Sequence, residues 1–300
     1  MRTTIRLHSS DPITRSARPE TGALFLSQPC LRSHNILTLD LQAVRANAEA
    51  IARQAGIATL EHFGKPHHET TKVNIFDVVT EGDKASEAVI LAALRAASPY
   101  PIVSEESGRD AGVEAAEYAW YVDPIDGTTN YASNLPFFSI SIALARRDMT
   151  PVVGVVYNPY YDEMFSAAEG CGATLNGKPI YVKDTPVIER AVLSTGFSYR
   201  RHDTDDNNLR QWTAMLMRCR DMRRFGSAAL DSAFVAGGRL DGYWEKGINA
   251  WDCLAGIVCV REAGGKATDY SGGTKRLYTG EELVLTNGLL HDTVLEIINS

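Results

Sequence analysis

The sequence contains few cysteines, no long hydrophobic segment and no surplus of positive charge. Its five cysteines form no C-x-x-C pair, which argues against a disulfide framework and fits a reducing compartment. We expect Cys253 and Cys259 to be small packing residues in a helix. No apolar run approaches the roughly 20 residues that span a bilayer, so no membrane partner is expected. The net charge of −7 argues against a nucleic-acid-binding surface.

The first 38 residues differ in composition from the rest of the chain. They are rich in arginine, serine and threonine, and their acids are only Asp11 and Glu20. They contain no hydrophobic core of a secretory signal. An organellar transit peptide, a disordered basic tail and a start codon placed too far upstream explain this composition equally well. We treat residues 1–38 as an extension, expect a cytoplasmic protein, and leave organellar targeting open.

Residues 39–300 alternate between helical and extended patterns, and 44% of the chain is hydrophobic, enough for a large core. Apolar residues at three- and four-residue spacing predict helices, and short β-rich runs between turn residues predict strands. The predicted helices are 39–63, 81–97, 208–218, 227–236, 250–262 and one from 291 onward. The predicted strands are 76–80, 101–103, 118–122, 138–145, 152–157, 163–168, 180–182, 191–195, 222–225, 243–244 and 284–285. Asn176-Gly177 predicts a hairpin. We expect a mixed α/β fold of two closely joined halves, 39–185 and 186–300.

The most informative stretch is D-P-I-D-G-T-T-N, residues 123–130. Asp123 and Asp126 follow a predicted buried strand, and Gly-Thr-Thr-Asn is suited to starting a helix. The carboxylates suit a divalent cation, and the backbone N–H groups of a helix N-terminus suit a phosphate. Taken alone, the stretch is equally typical of a solvated turn, because Asp-Pro and Asp-Gly are common turn dipeptides.

Further acids lie at the edges of other predicted elements. Asp83 and Asp252 lie where two helices begin, and Glu105 and Glu106 follow a predicted strand. Each has a structural explanation by itself. The two aspartates fit helix caps or first-turn acids, and the glutamates fit an exposed loop.

Taken together, the blocks around these acids resemble the inositol monophosphatase family. The resemblance runs from about Leu39 to the C-terminus, in the family's order and spacing. The matching blocks are D-V-V-T-E-G-D at 77–83 with Lys72 upstream, S-E-E-S at 104–107, residues 123–130, G-S-A-A at 226–229, D-G-Y-W-E at 241–245, G-I-N-A-W-D at 247–252 and E-A-G-G at 262–265.

The resemblance implies a layered αβαβα sandwich, a homodimer, lithium sensitivity and Mg²⁺-dependent hydrolysis of phosphate monoesters without a phospho-enzyme. It also implies a role for each matching position. The implied ligands of a first Mg²⁺ are Glu105, Asp123 and the carbonyl of Ile125. The implied ligands of a second are Asp123, Asp126 and Asp252, and Glu105 would help to hold a weaker third ion.

The remaining implied roles concern water, phosphate and the leaving group. Asp83 and Thr128 would orient and deprotonate the attacking water, with Glu105 beside them as a catalytic residue. Gly127 and Thr128 would bind the phosphate. The implied contacts to the rest of the substrate are Asp126, Glu245 and Asp252, with Lys72 and Ala228 also near the site.

The chemistry of these ligands favours Mg²⁺ or Mn²⁺ over Zn²⁺, because all of them are hard oxygens. The expected substrate is a small polyol phosphate such as myo-inositol 1-phosphate. Histidinol phosphate, fructose 1,6-bisphosphate and 3′-phosphoadenosine nucleotides are the alternatives within the same chemistry. A non-catalytic regulatory protein that keeps the fold is the alternative of another class.

One position departs from the family pattern, since Ser104 stands where the family usually has glycine before the paired glutamates. We expect this serine either to restrict the backbone that aims Glu105 or to add a hydroxyl behind the metal ligands.

Several other residues could suggest a functional role, but we assign them structural ones. They are His67 and His68 in a solvated loop, Tyr157, Tyr160 and Tyr161 in packing at a turn, Arg223 and Arg224 in ion pairs or a subunit contact, and Ser227, which lacks the G-x-S-x-G surroundings of a serine nucleophile.

Overall fold

The computed structural model describes residues 39–65, 70–71 and 78–300. In these ranges the chain forms α-helices that alternate with strands, as the sequence predicts. The helices are α1 (Leu41–His62), α2 (Glu81–Ala97), α3 (Thr128–Ala132), α4 (Leu209–Leu216), α5 (Ala228–Ala236), α6 (Ala250–Glu262) and α7 (His291–Asn299). A short 3₁₀ helix covers Ile188–Arg190. None of the helices in the described ranges combines the length and apolar character needed to cross a membrane.

The strands build two large sheets and one two-stranded sheet. They are β1 (Thr70–Thr71), β2 (Val78–Val79), β3 (Ile102–Ser104), β4 (Gly108–Arg109), β5 (Tyr118–Asp126), β6 (Ser139–Arg146), β7 (Pro151–Asn158), β8 (Glu163–Ala168), β9 (Ala173–Leu175), β10 (Lys178–Pro179), β11 (Val192–Thr195), β12 (Asp221–Arg223), β13 (Gly242–Lys246), β14 (Lys266–Thr268) and β15 (Glu282–Thr286). The eight-stranded sheet has the order β10-β9-β8-β7-β6-β5-β3-β4, and the five-stranded sheet has the order β12-β11-β13-β15-β14. Both sheets are mixed, because β3 runs parallel to β5 and β11 runs parallel to β12 and β13.

The three largest hydrophobic clusters of the described residues fill the space between helices and sheets. The first lies between α1, α2 and one face of the larger sheet, and includes Ile51 and Leu94. The second lies between the two sheets around α5 and α6, and includes Leu254. The third lies between the smaller sheet and the pair α4 and α7, and includes Met215 and Val294. The order helix, sheet, helix, sheet, helix confirms the predicted αβαβα sandwich.

The close contact between α6 and the larger sheet depends on a glycine. A methyl group at Gly154 in β7 would overlap the carbonyl oxygen of Ala255 in α6. The missing side chain lets the helix backbone lie directly on the strand, so the N-terminus of α6 is held at a fixed height above the sheet. Cys253 and Cys259 are fully buried in this helix, as predicted.

Several predicted elements differ from the observed ones. The strand predicted at 118–122 continues to Asp126, and the helix predicted at 208–218 ends at Leu216. No strand forms at 180–182, because the backbone leaves the sheet there: Val182 N–H donates to the carbonyl oxygen of Ala263 at the end of α6. The predicted hairpin is present, with positive φ at Asn176 (50°) and Gly177 (74°).

Candidate metal and phosphate site

A β-bulge places Asp123 and Asp126 on the same face of the larger sheet. In a regular strand, residues three apart point to opposite faces. Here Asp123 pairs with Ser141 and Asp126 pairs with Ser139, so three steps on β5 match two steps on β6. The extra residue lies at the Pro124 segment, where a proline is tolerated because a bulge leaves one residue without ladder bonds. Both carboxylates therefore face one site.

Asp126 is anchored at the N-terminus of α5. Its Oδ2 accepts hydrogen bonds from the Ser227 hydroxyl and from the backbone N–H of Ala229 at 2.8 Å. Its Oδ1 accepts from the N–H of Ala228 at 3.2 Å. The two backbone N–H donors are groups that a helix N-terminus leaves without an intrahelical partner, so one carboxylate both caps the helix and faces the site.

Asp252 comes from the first turn of α6. Its Oδ2 accepts from the backbone N–H of Asn249 at 2.7 Å, as part of a capping box. Asp123, Asp126 and Asp252 each offer a carboxylate oxygen, and these oxygens all lie within 4.8 Å of one another. Asp123 is further fixed because its Oδ1 accepts from the N–H of Ile125 at 2.9 Å.

The three aspartates destabilise one another's charges. Burial raises the pKa of Asp123 well above its ordinary value, and the nearby charges of Glu105, Asp126 and Asp252 raise it further. Burial likewise raises the pKa of Asp126 to about 6, against the hydrogen bonds from α5, which lower it. Burial and the charges of Asp126 and Glu105 also raise the pKa of Asp252. Such a cluster of hard oxygens fits a divalent cation, which would compensate the repulsion.

One cavity of about 120 Å³ collects most of the residues that the sequence analysis assigned to the site. The assigned residues in its wall are Glu105, Asp123, Ile125, Asp126, Gly127, Thr128, Ala228, Glu245 and Asp252. Gly127 adopts a φ of 95° as it turns the chain from β5 into α3, a conformation that favours glycine. Lys72, His67 and His68 lie outside the described residues.

Asp83 lies behind the cavity wall and reaches it through Thr128. The Thr128 hydroxyl is 3.3 Å from Asp83 Oδ1 and 3.0 Å from the carbonyl oxygen of Ile125, and both are acceptors. The other Asp83 oxygen, Oδ2, accepts from the Thr80 N–H at 2.8 Å and from its hydroxyl at 2.6 Å. Asp83 is fully buried, so these contacts hold its carboxylate in one orientation.

The same face of α2 holds two further segments of the site, which the sequence analysis missed. The Ser86 hydroxyl donates to the carbonyl oxygen of Pro124 at 2.8 Å. Glu87 Oε1 accepts from the Ser104 hydroxyl at 2.5 Å and from the Ser107 N–H at 2.9 Å, which fixes the turn that carries Glu105. Residues three and four apart share a helix face, so Asp83, Ser86 and Glu87 act from one side of α2.

Ser104, which stands where the family usually has glycine, adds a hydroxyl behind the site. Its hydroxyl points away from the cavity toward Glu87 and ties β3 to α2. The serine therefore supports the Glu105 turn from behind.

Glu245 enters the cavity from β13. The Tyr243 hydroxyl donates to its Oε2, and a methyl group at Gly196 would overlap its carboxylate, so the side chain is closely confined. Burial raises the pKa of Glu245 to about 7, against opposing contributions from the Tyr243 hydrogen bond and the positive charge of Arg224. Arg224 lines the same cavity, and no sequence motif distinguished it from its neighbour.

The structure agrees with the structural role predicted for some of the remaining residues and differs for others. Arg223 forms the expected ion pair, with Asp221 at 2.5 Å, whereas Arg224 lines the cavity. Tyr157 packs into the core, and the predicted packing at the turn is also present: Tyr160, although 51% exposed, lies edge-to-face against Phe63 and Tyr161, with ring centres 5.6 Å and 5.0 Å away. Tyr160 and Tyr161 lie in the turn that joins β7 to β8.

Comparison with known proteins identifies the relatives of this chain. The sequence model of the inositol monophosphatase family matches residues 40–300. The chain belongs to this family. A Synechocystis protein named inositol-1-monophosphatase is 42% identical over 260 residues, which are 86% of this chain and 90% of that protein. Nus factor SuhB of Escherichia coli K12 is 40% identical over 240 residues, 79% of this chain and 87% of that protein.

A solved structure extends the match to the fold. The inositol monophosphatase of Anabaena is 42% identical and superimposes with a TM-score of 0.79, covering 86% of this chain and 96% of that structure. These matches confirm the predicted family, the fold class and a phosphomonoesterase. The family depends on Mg²⁺ in general, and the buried aspartates here form a cluster able to hold a cation.

Proposed function

We propose that this protein is a Mg²⁺-dependent phosphatase of small polyol phosphates, with myo-inositol 1-phosphate as the representative substrate. The observation that carries the proposal is the cluster of Asp123, Asp126 and Asp252, in a cavity that also contains Thr128 and the start of α3. The name of the Synechocystis relative supports the choice of substrate.

The proposed metal ligands follow from this cavity. Glu105, Asp123 and the Ile125 carbonyl would hold one Mg²⁺, and Asp123, Asp126 and Asp252 would hold a second. Glu105 would also contribute to a weaker third site, and Mn²⁺ suits the same oxygens. The Ile125 carbonyl has two lone pairs and can bind an ion, and the single proton of the Thr128 hydroxyl would then be donated to Asp83. When bound, Mg²⁺ would supply positive charge to the phosphoryl group and lower the pKa of the attacking water.

The proposed phosphate contacts lie where β5 turns into α3. The first N–H groups of a helix have no intrahelical partner and point outward, so those of Gly127 and Thr128 are suited to bind phosphate oxygens. The positive φ of Gly127 makes this sharp entry to the helix possible.

The proposed base acts through a two-residue relay. The attacking water would give its proton to Thr128 Oγ1 while the Thr128 hydroxyl proton passes to Asp83 Oδ1, 3.3 Å away. Burial of Asp83 and its two hydrogen bonds from Thr80 keep the carboxylate aimed at Thr128. The phosphoryl group is thereby transferred directly to water.

The proposed contacts to the leaving group are Glu245, Asp126, Asp252 and the Ala228 segment. A carboxylate accepts hydrogen bonds from polyol hydroxyls, and the Tyr243 bond leaves Glu245 Oε1 available for this purpose. Arg224 supports a polyol over histidinol phosphate, because its positive charge in the same cavity would repel a cationic leaving group.

Substitution of the central aspartates tests the proposal. Asp123→Asn and Asp126→Asn should abolish Mg²⁺-dependent phosphate release from myo-inositol 1-phosphate while circular dichroism shows a folded protein. Asp292→Asn, which removes an exposed partner of Lys266 far from the cavity lining, serves as the control and should keep wild-type activity. Near-normal turnover by Asp123→Asn or Asp126→Asn would rule out the proposed ligands.

A regulatory role is the second candidate, favoured by the relatives named Nus factor SuhB. A stable complex with another protein, together with no Mg²⁺-stimulated phosphate release from a panel of phosphate esters, would support it over catalysis. The two roles are compatible in one protein.

We also infer a homodimer, lithium inhibition and a cytoplasmic location from the family. Residues 1–38 are proposed as an extension outside the phosphatase domain at 39–300. Light scattering after size exclusion, and phosphate release with and without Li⁺, test the first two inferences.

A further inference from the structure

Tyr243 is a buried partner of Glu245 on the same strand. The two residues are two apart in β13, so their side chains leave the same face of the strand. Glu245 lines the metal cavity, and Tyr243 does not. The tyrosine hydroxyl donates to Glu245 Oε2, and among the described residues no other group donates to this carboxylate. The orientation of Glu245 therefore depends on one hydroxyl group.

The backbone that follows β11 closes in on the same carboxylate. Thr195, the last residue of β11, pairs with Trp244 in parallel register, which brings Gly196 beside Glu245. A methyl group at Gly196 would overlap both oxygens of the Glu245 carboxylate. The glycine thus leaves room for this one side chain and for little else.

Asn208 ties the two backbone segments to each other. Its Nδ2 donates to the Thr195 hydroxyl and to the Gly196 carbonyl oxygen, both at 2.7 Å, and its Oδ1 accepts from the Trp244 indole N–H at 2.8 Å. Asn208 and Trp244 are both buried, so this link is shielded from water. The backbone around Glu245 is therefore fixed, and the Tyr243 hydroxyl fixes the end of its side chain.

A second buried acid acts on Tyr243 without receiving its proton. Burial raises the pKa of Tyr243 well above its ordinary value, and the charges of Glu245 and of Asp231 in α5 raise it further. Asp231 Oδ1 forms no hydrogen bond within the part of the chain that the structure describes. A hydroxyl group has a single proton to donate. That of Tyr243 is used at the acid that borders the cavity.

We propose that Tyr243 is a positioning residue that gives the site its preference for hydroxyl-rich leaving groups, by holding Glu245 with Oε1 toward the substrate. The inference rests on the proposed phosphatase function. Holding a glutamate side chain in one orientation removes its rotamer freedom before the substrate arrives, so less is lost when a substrate hydroxyl binds. A leaving group without hydroxyls gains nothing from this arrangement.

The test compares two phosphate esters that share a six-membered carbon ring. The ring of myo-inositol 1-phosphate carries hydroxyls, and that of cyclohexyl phosphate carries none. In Mg²⁺-dependent phosphate release, Tyr243→Phe should lower kcat/KM for the inositol ester about tenfold, as expected for one hydrogen bond to a charged group. The value for cyclohexyl phosphate should stay within about twofold. The loss should be chiefly a higher KM, because the ring hydroxyls lie away from the bond that breaks.

A matched control and a second variant separate positioning from packing. Tyr157→Phe is the control, because Tyr157 is also a buried tyrosine that donates to a carboxylate, that of Asp162 at 3.0 Å, and it does not line the cavity. It should change neither value. Gly196→Ala displaces the Glu245 carboxylate while Tyr243 stays in place, and it should cause the same selective loss. It also keeps the test open if circular dichroism shows that Tyr243→Phe is unfolded.

A double variant shows whether Tyr243 acts through Glu245. Glu245→Ala should lower kcat/KM for the inositol ester, and adding Tyr243→Phe should lower it no further. A further loss in the double variant, an equal loss for both esters in Tyr243→Phe, or an unchanged inositol value would overturn the positioning role alone. Absence of Mg²⁺-dependent release from both esters by the wild type would overturn the proposed function itself.

Discussion

The repulsion among the buried aspartates predicts how the metal-free protein responds to pH. Asp126 has a pKa of about 6 in the folded protein, raised chiefly by burial, against about 3.9 in an unfolded chain. A carboxyl group whose folded pKa is raised stabilises the fold below its unfolded pKa, and this contribution is lost as the pH rises through the folded pKa. The free energy of unfolding without metal should therefore fall between about pH 4 and pH 6.

The size of this loss follows from the pKa difference. A difference of about two pKa units corresponds to about 3 kcal/mol for Asp126 alone. For a chain of this size, 1 kcal/mol shifts the Tm by about 2–4 °C, so the expected change is roughly 6–12 °C. Asp126→Asn cannot ionise, and its Tm relative to wild type should rise by that amount between pH 4 and pH 7 in EDTA. The informative quantity is the change with pH in the Tm difference between variant and wild type. The variant also weakens the hydrogen bonds to α5, but that loss is the same at every pH.

Thermal unfolding followed by circular dichroism, with and without Mg²⁺, measures both predictions. Saturation with Mg²⁺ at 100 times its Kd should stabilise the wild type by about 2.7 kcal/mol and should not stabilise Asp126→Asn. Asp231→Asn is the matched control, because Asp231 is a buried acid of α5 whose pKa is also raised by burial. Like Asp126→Asn, its Tm relative to wild type should rise with pH in EDTA, but unlike Asp126→Asn it should still be stabilised by Mg²⁺. Parallel Tm curves for wild type and Asp126→Asn in EDTA at every pH would refute the reasoning.

Three further predictions concern other parts of the site and its support. Asp83→Asn and Thr128→Ala should each lower kcat about 10²- to 10⁴-fold, and the double variant should be no worse than either, because the proposed relay needs both side chains for one step. Additive losses in steady-state kinetics would contradict a shared step. Glu87→Ala and Ser104→Gly should weaken Mg²⁺ binding about tenfold in titration calorimetry, because both loosen the Glu105 turn. Unchanged Mg²⁺ affinity would show that the turn holds without them. Gly154→Ala should lower the free energy of unfolding by about 1–3 kcal/mol in urea titrations, since its methyl overlaps Ala255; an unchanged midpoint would contradict the close contact.

The sequence predicted helices best where both ends carry local signals. Helices α2 and α6 match their predicted bounds, 81–97 and 250–262, residue for residue. In α2 the Thr80 capping box marks the start, and in α6 Gly264, with a φ of 88°, follows the end. These signals act within a few residues, so they are visible without knowledge of the rest of the fold.

The features that depend on distant partners escaped prediction. The bulge at Pro124 exists because β5 pairs with β6, and the short strand β14 exists because Glu282–Thr286 lies beside it. In the site, Glu87 meets Ser104 across 17 residues and Ser227 meets Asp126 across 101. In the sequence alone, Glu87 is one of many glutamates on a helix and Ser227 is a common helix-cap residue, so neither can be recognised before its distant partner is known.

For Asp83 and Asp252, the role in a helix N-terminus and the role in the proposed site have a common physical basis. Asp83 and Asp252 are first-turn acids of α2 and α6, as a structural interpretation would have them, and each carboxylate also reaches the site. The positive end of a helix stabilises a nearby carboxylate, so each helix reduces the cost of holding a charge in a cluster where neighbouring acids oppose it. A position in the first turn of a helix is therefore a favourable place for a carboxylate of the proposed site, whether a metal ligand such as Asp252 or the base Asp83. One carboxylate can therefore both cap a helix and contribute to the site. What distinguishes Asp83 and Asp252 from ordinary helix caps is that α2, α5 and α6 converge on the bulge of β5.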